Sequence, residues 1–473
     1  MKRLFLVLLP ILIAGCASVT APNEKQAREI NNTYRSGNIP AAVAGIEQAY
    51  AKSDEKKPKD TTYYLEKGTM VRNMGAAKLP ESTQLFLSAD RVVRDWVDQV
   101  KPSLGMSPAN FADAFVKSNK LDGVYRPRDY EKTMVSFSLA VNHALARRYD
   151  LVAAEAHQMR EREDLIQKLQ DKNVQAIRAK EDSSSGAISR IEEVKGYPVE
   201  SLDSKEVREL RNSYQNAAAY YLAGFLLESQ PGENENAKFF YKKAVELKRI
   251  PMFVNALADA PRKEADKADT LVVVETGFLS DVYSHRTTFP LPTKSGPKVV
   301  NFVLPATAKN AQMFNPQQVT IGNQTMPLVE AVNIEAMSLR ELKDNMPGYV
   351  LRASTSALVQ IVAQEAAHRA IDRNKNDKNA ALKKLLVSAA VGVISAGDVD
   401  VRQWKSLPSA IYLARATLPK GSSVLQIATP VGVRTFPVTI SQNSEVVHVR
   451  VFNGGAVLNN YIAGLKEEAY RAN

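Results

Sequence analysis

The chain has one cysteine, Cys16, among 473 residues. A single thiol excludes an internal disulfide framework and a thiolate metal cluster. Long apolar runs are as scarce. The ten residues from Leu4 to Ile13 have the length of an export-signal core, about half of the roughly 20 needed to span a bilayer. Charge of one sign is not concentrated either: 62 Lys and Arg exceed 51 Asp and Glu, a net +11, yet the pairs Lys56-Lys57, Arg147-Arg148, Lys242-Lys243 and Lys383-Lys384 are flanked by acids. A nucleic-acid binder gathers its cations on one face with stacking aromatics. These pairs read instead as solvated helical faces, and nucleic acid is not an expected partner.

Catalytic signatures are missing as well. No Gly-rich phosphate cradle, His-Glu-x-x-His helix or Gly-x-Ser-x-Gly elbow occurs. The five histidines, His143, His157, His285, His368 and His448, are scattered. Glu365 and His368 form one Glu-x-x-His pair, whereas four-helix carboxylate metal sites need two such pairs and two further carboxylates. An ordinary solvated pair is expected, with no metal and no cofactor. Asp and Glu are plentiful, so a carboxylate pair of the glycosidase kind stays open.

What is present begins with Lys2 and Arg3, followed by the apolar run and then Ile13-Ala14-Gly15-Cys16. This quartet resembles a bacterial lipobox: an aliphatic residue, two small ones, then the cysteine. The resemblance implies that the Cys16 sulfur accepts diacylglycerol, that cleavage removes residues 1–15, and that the freed amino group takes a further acyl chain. One chain anchors marginally and two or more anchor stably, at about 0.8 kcal/mol per buried methylene. Ala17 and Ser18 follow, and neither is the Asp that retains such products in the inner membrane. The implied address is the periplasmic leaflet of the outer membrane. Residues 16–25 are the expected tether, and the 458 residues left after cleavage carry a net charge of +9.

The 45% hydrophobic content is ample for real cores, and the length allows two to four domains. The expected fold class is α+β. Residues 26–267 read as an all-α domain, because alanine, leucine and charged residues recur at helical spacing. Gly37, Ala42, Ile46 and Ala49 resemble the turn glycine and small-large-small stripe of a tetratricopeptide (TPR) second helix. The stripe recurs at Ala237, Tyr241 and Ala244, after a helix near 213–228 that carries Tyr221, Gly224 and Leu227. A degraded copy lies at Ala153, His157 and Arg160. The copies are unevenly spaced, so a regular array is not supported. Ser107-Pro108 is a helix start, 130–148 a helix, and 151–180 a long charged helix whose thin stripe predicts a projecting hairpin. Ser183 to Gly186 would be a loop, and Asp203 to Glu206 a capping box.

Residues 268–397 read as a mixed segment. Strands are expected at 271–275, 298–304 and 318–321, with a hairpin turn at Ile321-Gly322-Asn323-Gln324 and a strand at 326–335. A helix capped by Ser338 with Glu341 would run to Ile371 with a break near Pro347. A second helix, 380–395, is apolar nearly all round and predicts a buried core helix. Residues 398–458 hold four strands, 411–417, 424–428, 435–440 and 446–452, which suggest an Ig-like or PEGA-like β-sandwich. Residues 459–473 are a tail with helical character.

Asp400, Arg402, Trp404, Leu407, Pro408, Arg415, Leu418, Pro419 and Gly421 match an Asp-x-Arg-x-Trp-x-x-Leu-Pro motif, a strand Arg and a Leu-Pro-x-Gly turn. That stretch resembles a family of uncharacterised proteobacterial lipoproteins, to which Tyr130-Glu131-Lys132 and residues 142–155 are also similar. The resemblance implies TPR-like helices followed by a β-rich domain at the outer membrane, and implies no activity. Asp400, Arg402 and Trp404 support two readings. One is a structural clasp, with Arg402 paired to Asp400, Trp404 over the sandwich edge and Pro408 opening a strand. The other is a surface hot spot, since Trp and Arg dominate interfaces. The clasp is the preferred reading.

The expected function is a non-enzymatic scaffold for periplasmic or outer-membrane proteins, held to the membrane through acylated Cys16. The alternatives are a cell-wall enzyme and a peptidoglycan-binding lipoprotein.

Overall fold

The computed structural model describes residues 22–460, apart from 54–58, 109, 112–123, 184–189, 195, 259–264, 292–297 and 373–398. The expectations for Cys16 with its lipobox, for 184–186 of the expected Ser183 to Gly186 loop, for the 380–395 helix and for 461–473 of the tail therefore lie outside the described residues, while Ser183 ends a helix and Asn459 a strand. The fold is α+β, with N-terminal helices followed by C-terminal sheets.

The chain opens with α1 (Glu24–Arg35) and α2 (Ile39–Ala49). Asn23 and Gln26 close a reciprocal capping box at the start of α1. Gly37 turns the chain between the helices at φ +91°, a region that favours glycine. Ala42 and Ile46 are buried as the stripe requires. Next come α3 (Thr61–Arg72), α4 (Leu79–Val100), α5 (Asp129–Leu145) and α6 (Tyr149–Ser183). The short α7 (Lys205–Glu209) precedes α8 (Ala217–Leu227), α9 (Asn234–Leu247) and α10 (Pro251–Ala258). In the α8/α9 hairpin Ala237, Tyr241 and Ala244 are all buried. Gly224 explains the close approach, because a Cβ there would lie 2.7 Å from the Tyr241 ring.

Two helical details differ from the expectation. The N-terminal half of α6 does not project: Val152, Ala156 and Met159 join the main core with α5 and α8, and Ile166 is buried as well. The charged residues that made its stripe look thin, Glu155, Arg162 and Glu163, are themselves buried; Arg162 donates to Ser136 Oγ of α5 and Glu163 accepts the Tyr220 hydroxyl of α8. The cap of α7 is Ser204, one residue past Asp203, and its hydroxyl accepts the Val207 N–H at 3.3 Å.

Among the described residues eleven strands follow: β1 (Lys267–Thr276), β2 (Val282–Leu291), β3 (Lys298–Thr307), β4 (Gln318–Ile321), β5 (Gln324–Pro327), β6 (Val329–Asn333), β7 (Ala410–Pro419), β8 (Gly421–Thr429), β9 (Gly432–Ile440), β10 (Ser444–Phe452) and β11 (Gly455–Asn459). The Gly322-Asn323 turn joins β4 to β5 as expected. The strand expected over 326–335 is instead the end of β5, then β6, and a helix from Ile334 onward. That helix, α11 (Ile334–Asp372), is capped by Asn333, whose side chain accepts the Ala336 N–H at 2.9 Å, and Ser338 lies inside it. It runs unbroken through Pro347. Leu342, Met346 and Val350 bury the turns on both sides of the proline against the β2–β3 ribbon, which offsets the lost backbone bond.

Strands from 268–397 and 398–458 interleave, so the expected boundary at 397 does not separate two sheets. The five-stranded sheet runs β11-β10-β1-β7-β6, with β1 parallel to β10 and antiparallel to β7. The four-stranded sheet runs β5-β4-β8-β9. Alternation along β1 sends Leu271 and Val273 to the helices and Val272 and Val274 to the second sheet. The molecule is therefore layered as helices, five-stranded sheet, four-stranded sheet. A strand buried on both faces reads as a continuous apolar run, as β1 and most of β10 do.

Candidate functional site

The motif residues converge where the segment entering β7 crosses the helical layer. Arg402 lies on Asp400, donating from Nε at 2.9 Å and Nη2 at 2.8 Å, and reaches Asp60 at 3.2 Å. Asp60 caps α3 by accepting the Thr61 N–H at 2.9 Å and also accepts the Tyr125 N–H at 2.6 Å. Glu66 of α3 accepts the N–H groups of Lys405 at 2.6 Å and Ser406 at 3.0 Å. Glu131, at the third position of α5, accepts the Trp404 N–H at 2.8 Å and the Arg128 N–H at 2.9 Å, and the Tyr125 hydroxyl donates to it. Two buried carboxylates, Glu66 and Glu131, thus satisfy backbone N–H groups of one irregular segment that could not otherwise be buried, while Asp60 holds its Arg402 side chain.

Arg402 is paired with Asp400, and Trp404 is fully buried rather than at the surface. Its neighbour is not the sandwich edge. The indole packs on Phe86 of α4, centroids 5.7 Å apart, and donates to Thr69 Oγ1 at 2.9 Å and Ser406 Oγ at 3.0 Å. Leu407 is buried in the same core, and Pro408 precedes β7, which opens at Ala410. Arg415 sits apart on β7. It pairs with Asp269 of β1 and Glu228 at the end of α8, and donates to Tyr241 Oη at 3.0 Å and Tyr221 Oη at 3.3 Å.

A second polar cluster was not among the expected site residues. Arg72 Nη2 of α3 donates to both Glu275 oxygens at 2.9 Å, and His448 Nε2 lies 3.4 Å from the same carboxylate. Asn459 of β11 donates to Asn73 at 3.1 Å and meets His448 Nδ1 at 3.2 Å, while Asn73 donates to Tyr34 Oη at 2.9 Å. Arg450 stacks over Phe278 at 4.4 Å and donates to the Gly277 carbonyl at 2.8 Å. Burial alone would raise the Glu275 carboxyl; Arg72, then His448, outweigh it and hold the group below the usual carboxylate range. Burial lowers His448, against the pull of Glu275. The sequence did carry a signal. Glu275 closes a β-branched run, and His448 and Arg450 alternate within another, where a charged group must find a partner.

Further carboxylates lie among the helices. Asp90 pairs with Arg162, which donates to Ser136 Oγ at 2.6 Å, and Tyr220 donates to Glu163. Glu341 accepts the Asp129 N–H at 3.0 Å, so its role is to join α11 to α5 rather than to cap α11. Of the histidines, His143 is buried and held down to about 4, chiefly by desolvation and then by Arg148. Among the described residues no group of three or more His, Cys, Asp or Glu is arranged to hold a metal ion. Shallow depressions lined by Asn23–Asn32 residues and by the 321–324 and 418–423 turns lie away from both clusters. Among the described residues no helix is long and apolar enough to cross a membrane.

Comparison with protein families, with curated proteins and with solved structures finds no match.

Proposed function

We propose that the chain is a lipid-anchored envelope lipoprotein, facing the periplasm from the outer membrane, whose layered body is a non-enzymatic scaffold for other envelope proteins. The observation that carries the reading is Ile13-Ala14-Gly15-Cys16: the chain's one cysteine stands directly after two small residues and an apolar run of export length. The body starts close behind it, with the α1 capping box at Asn23. The six residue-to-residue steps from Cys16 to Pro22 span at most about 20 Å when fully extended. Acylation would hold the scaffold within about one helix length of the bilayer and raise its effective concentration for partners there.

The α1/α2 and α8/α9 hairpins support a TPR-like reading of the helical layer, in which small residues set the approach and one large residue fills each gap. The two facing sheets are in keeping with a sandwich at the C-terminal end. The clustered charges described above are spent on joining the layers, as a scaffold requires. Mass spectrometry of the protein from its native host should find diacylglycerol and an amide-linked acyl chain on Cys16, and Cys16→Ser should leave the membrane fraction. Crosslinked affinity purification from detergent-solubilised membranes should then recover specific envelope proteins. An unmodified amino terminus at Met1 overturns the anchor; repeated recovery of no partner overturns the scaffold.

A further inference from the structure

The outer face of the β5-β4-β8-β9 sheet is solvated and carries no charge. Its outward positions are Gln318 and Thr320 of β4, Thr325 and Pro327 of β5, the even-numbered residues 422–428 of β8 and the odd-numbered residues 433–439 of β9. None of these twelve is Asp, Glu, Lys or Arg, where the chain's 24% charged content would place about three. One register row crosses all four strands as Thr325, Thr320, Gln426 and Thr435. The first two hydroxyls bond each other at 2.9 Å. At about 4.8 Å between strands, the row sets four donor-and-acceptor groups along roughly 14 Å. Val424 and Val433 flank it and are 43% and 66% exposed.

From this face we infer a docking surface for an uncharged, hydroxyl- and amide-bearing polysaccharide, such as the glycan backbone of the cell wall. The setting, though not the chemistry, rests on the envelope reading above. The face covers about 400 Å² by strand spacing and rise, half of the roughly 800 Å² per partner that a stable protein interface buries. It offers no Trp, Tyr or Arg anchor for a protein partner. It has no lysine or arginine for anionic lipid headgroups. A narrow chain of sugar rings needs neither. Laid across the strands, its hydroxyl and acetamide groups can exchange hydrogen bonds with the Thr and Gln row, while ring C–H faces rest on the valines. Pro437 blunts the β9 edge against strand addition, which leaves the face rather than the edge for binding.

The intact chain, purified in mild detergent, is titrated calorimetrically with a soluble hexamer of N-acetylglucosamine and sedimented with purified wall sacculi at low and high salt. Binding of both ligands is expected, with less than a threefold change across the salt range, because no ion pair is involved. Replacing Gln426→Lys and Thr435→Lys together, at exposed positions, should weaken hexamer binding at least tenfold with an unchanged circular dichroism spectrum. Absence of hexamer binding, equal binding by the variant, loss of binding in salt, or a concentration-dependent dimer abolished by the variant would each overturn the inference. Lipid on Cys16 is measured separately, so failure here leaves the anchor standing, and the reverse also holds.

Discussion

Glu275 shows how a single residue ties two layers. It lies on a central strand with no exposure, and its pairing with Arg72 of α3 bridges sheet and helices. A buried pair is a weak source of net stability, because desolvation offsets most of the attraction, but removing one partner strands the other. Glu275→Gln should therefore cost about 3–5 kcal/mol, read from the urea midpoint. The double variant Arg72→Met with Glu275→Leu should recover part of that loss, since Arg72 is then not stranded, while the buried Arg450 keeps the Gly277 carbonyl and the Phe278 ring but loses its nearby acid. Equal destabilisation by single and double variants would show that the ions specify the layer contact rather than merely compensate each other.

At the scale of elements, Gly224 and the clasp make opposite demands. A methyl at Gly224 would meet the Tyr241 ring at 2.7 Å and the Ala237 carbonyl at 3.1 Å. Gly224→Ala gains helix propensity yet should destabilise by about 1–3 kcal/mol through overpacking, visible as a lower melting temperature. Trp404→Ala should cost about 3–5 kcal/mol, because it empties a closed site beside Phe86 and orphans its two acceptors. A loss below 1 kcal/mol would mean that the segment holding Trp404 opens readily in the native chain. Elements with their own local signal were legible in the sequence: the α8/α9 stripe, the Gly322 turn, and the strands around β1 and β7 to β10. What was not legible is non-local. No residue near Trp404 announces that Glu66 and Glu131 will hold its backbone and Asp60 the Arg402 side chain, all more than 270 positions away. Likewise β1 gives no sign that β10 lies beside it and β7 on its other edge, and this interleaving is what removes the expected boundary at residue 397.

Taken whole, the molecule buries more acid than its cations neutralise, and this sets a pH dependence. Burial pushes Glu66 up to about 7, against the Ser406 and Lys405 donors. It pushes Glu155 up to about 8 with help from Asp90, and Glu163 up to about 8 despite the Tyr220 hydroxyl. In the unfolded chain each titrates near 4.3. Between these limits the folded state holds more protons, so stability falls as pH rises towards 8 and levels off above it. His143 and His448 act in the other direction, since both are lowered on folding and the unfolded chain protonates first as pH drops below about 6.5. The acids are therefore unopposed by the histidines from pH 8.5 down to 6.5, and the melting temperature should rise by several degrees over that interval. Glu155→Gln keeps the shape and removes the titration. It should raise stability at pH 8.5 by on the order of 1 kcal/mol for each pH unit the group would have traversed, and by less at pH 6.5. A melting temperature independent of pH in both the parent and the variant would mean that water or cations reach these carboxylates and that the helical layer is less tightly closed than its packing implies.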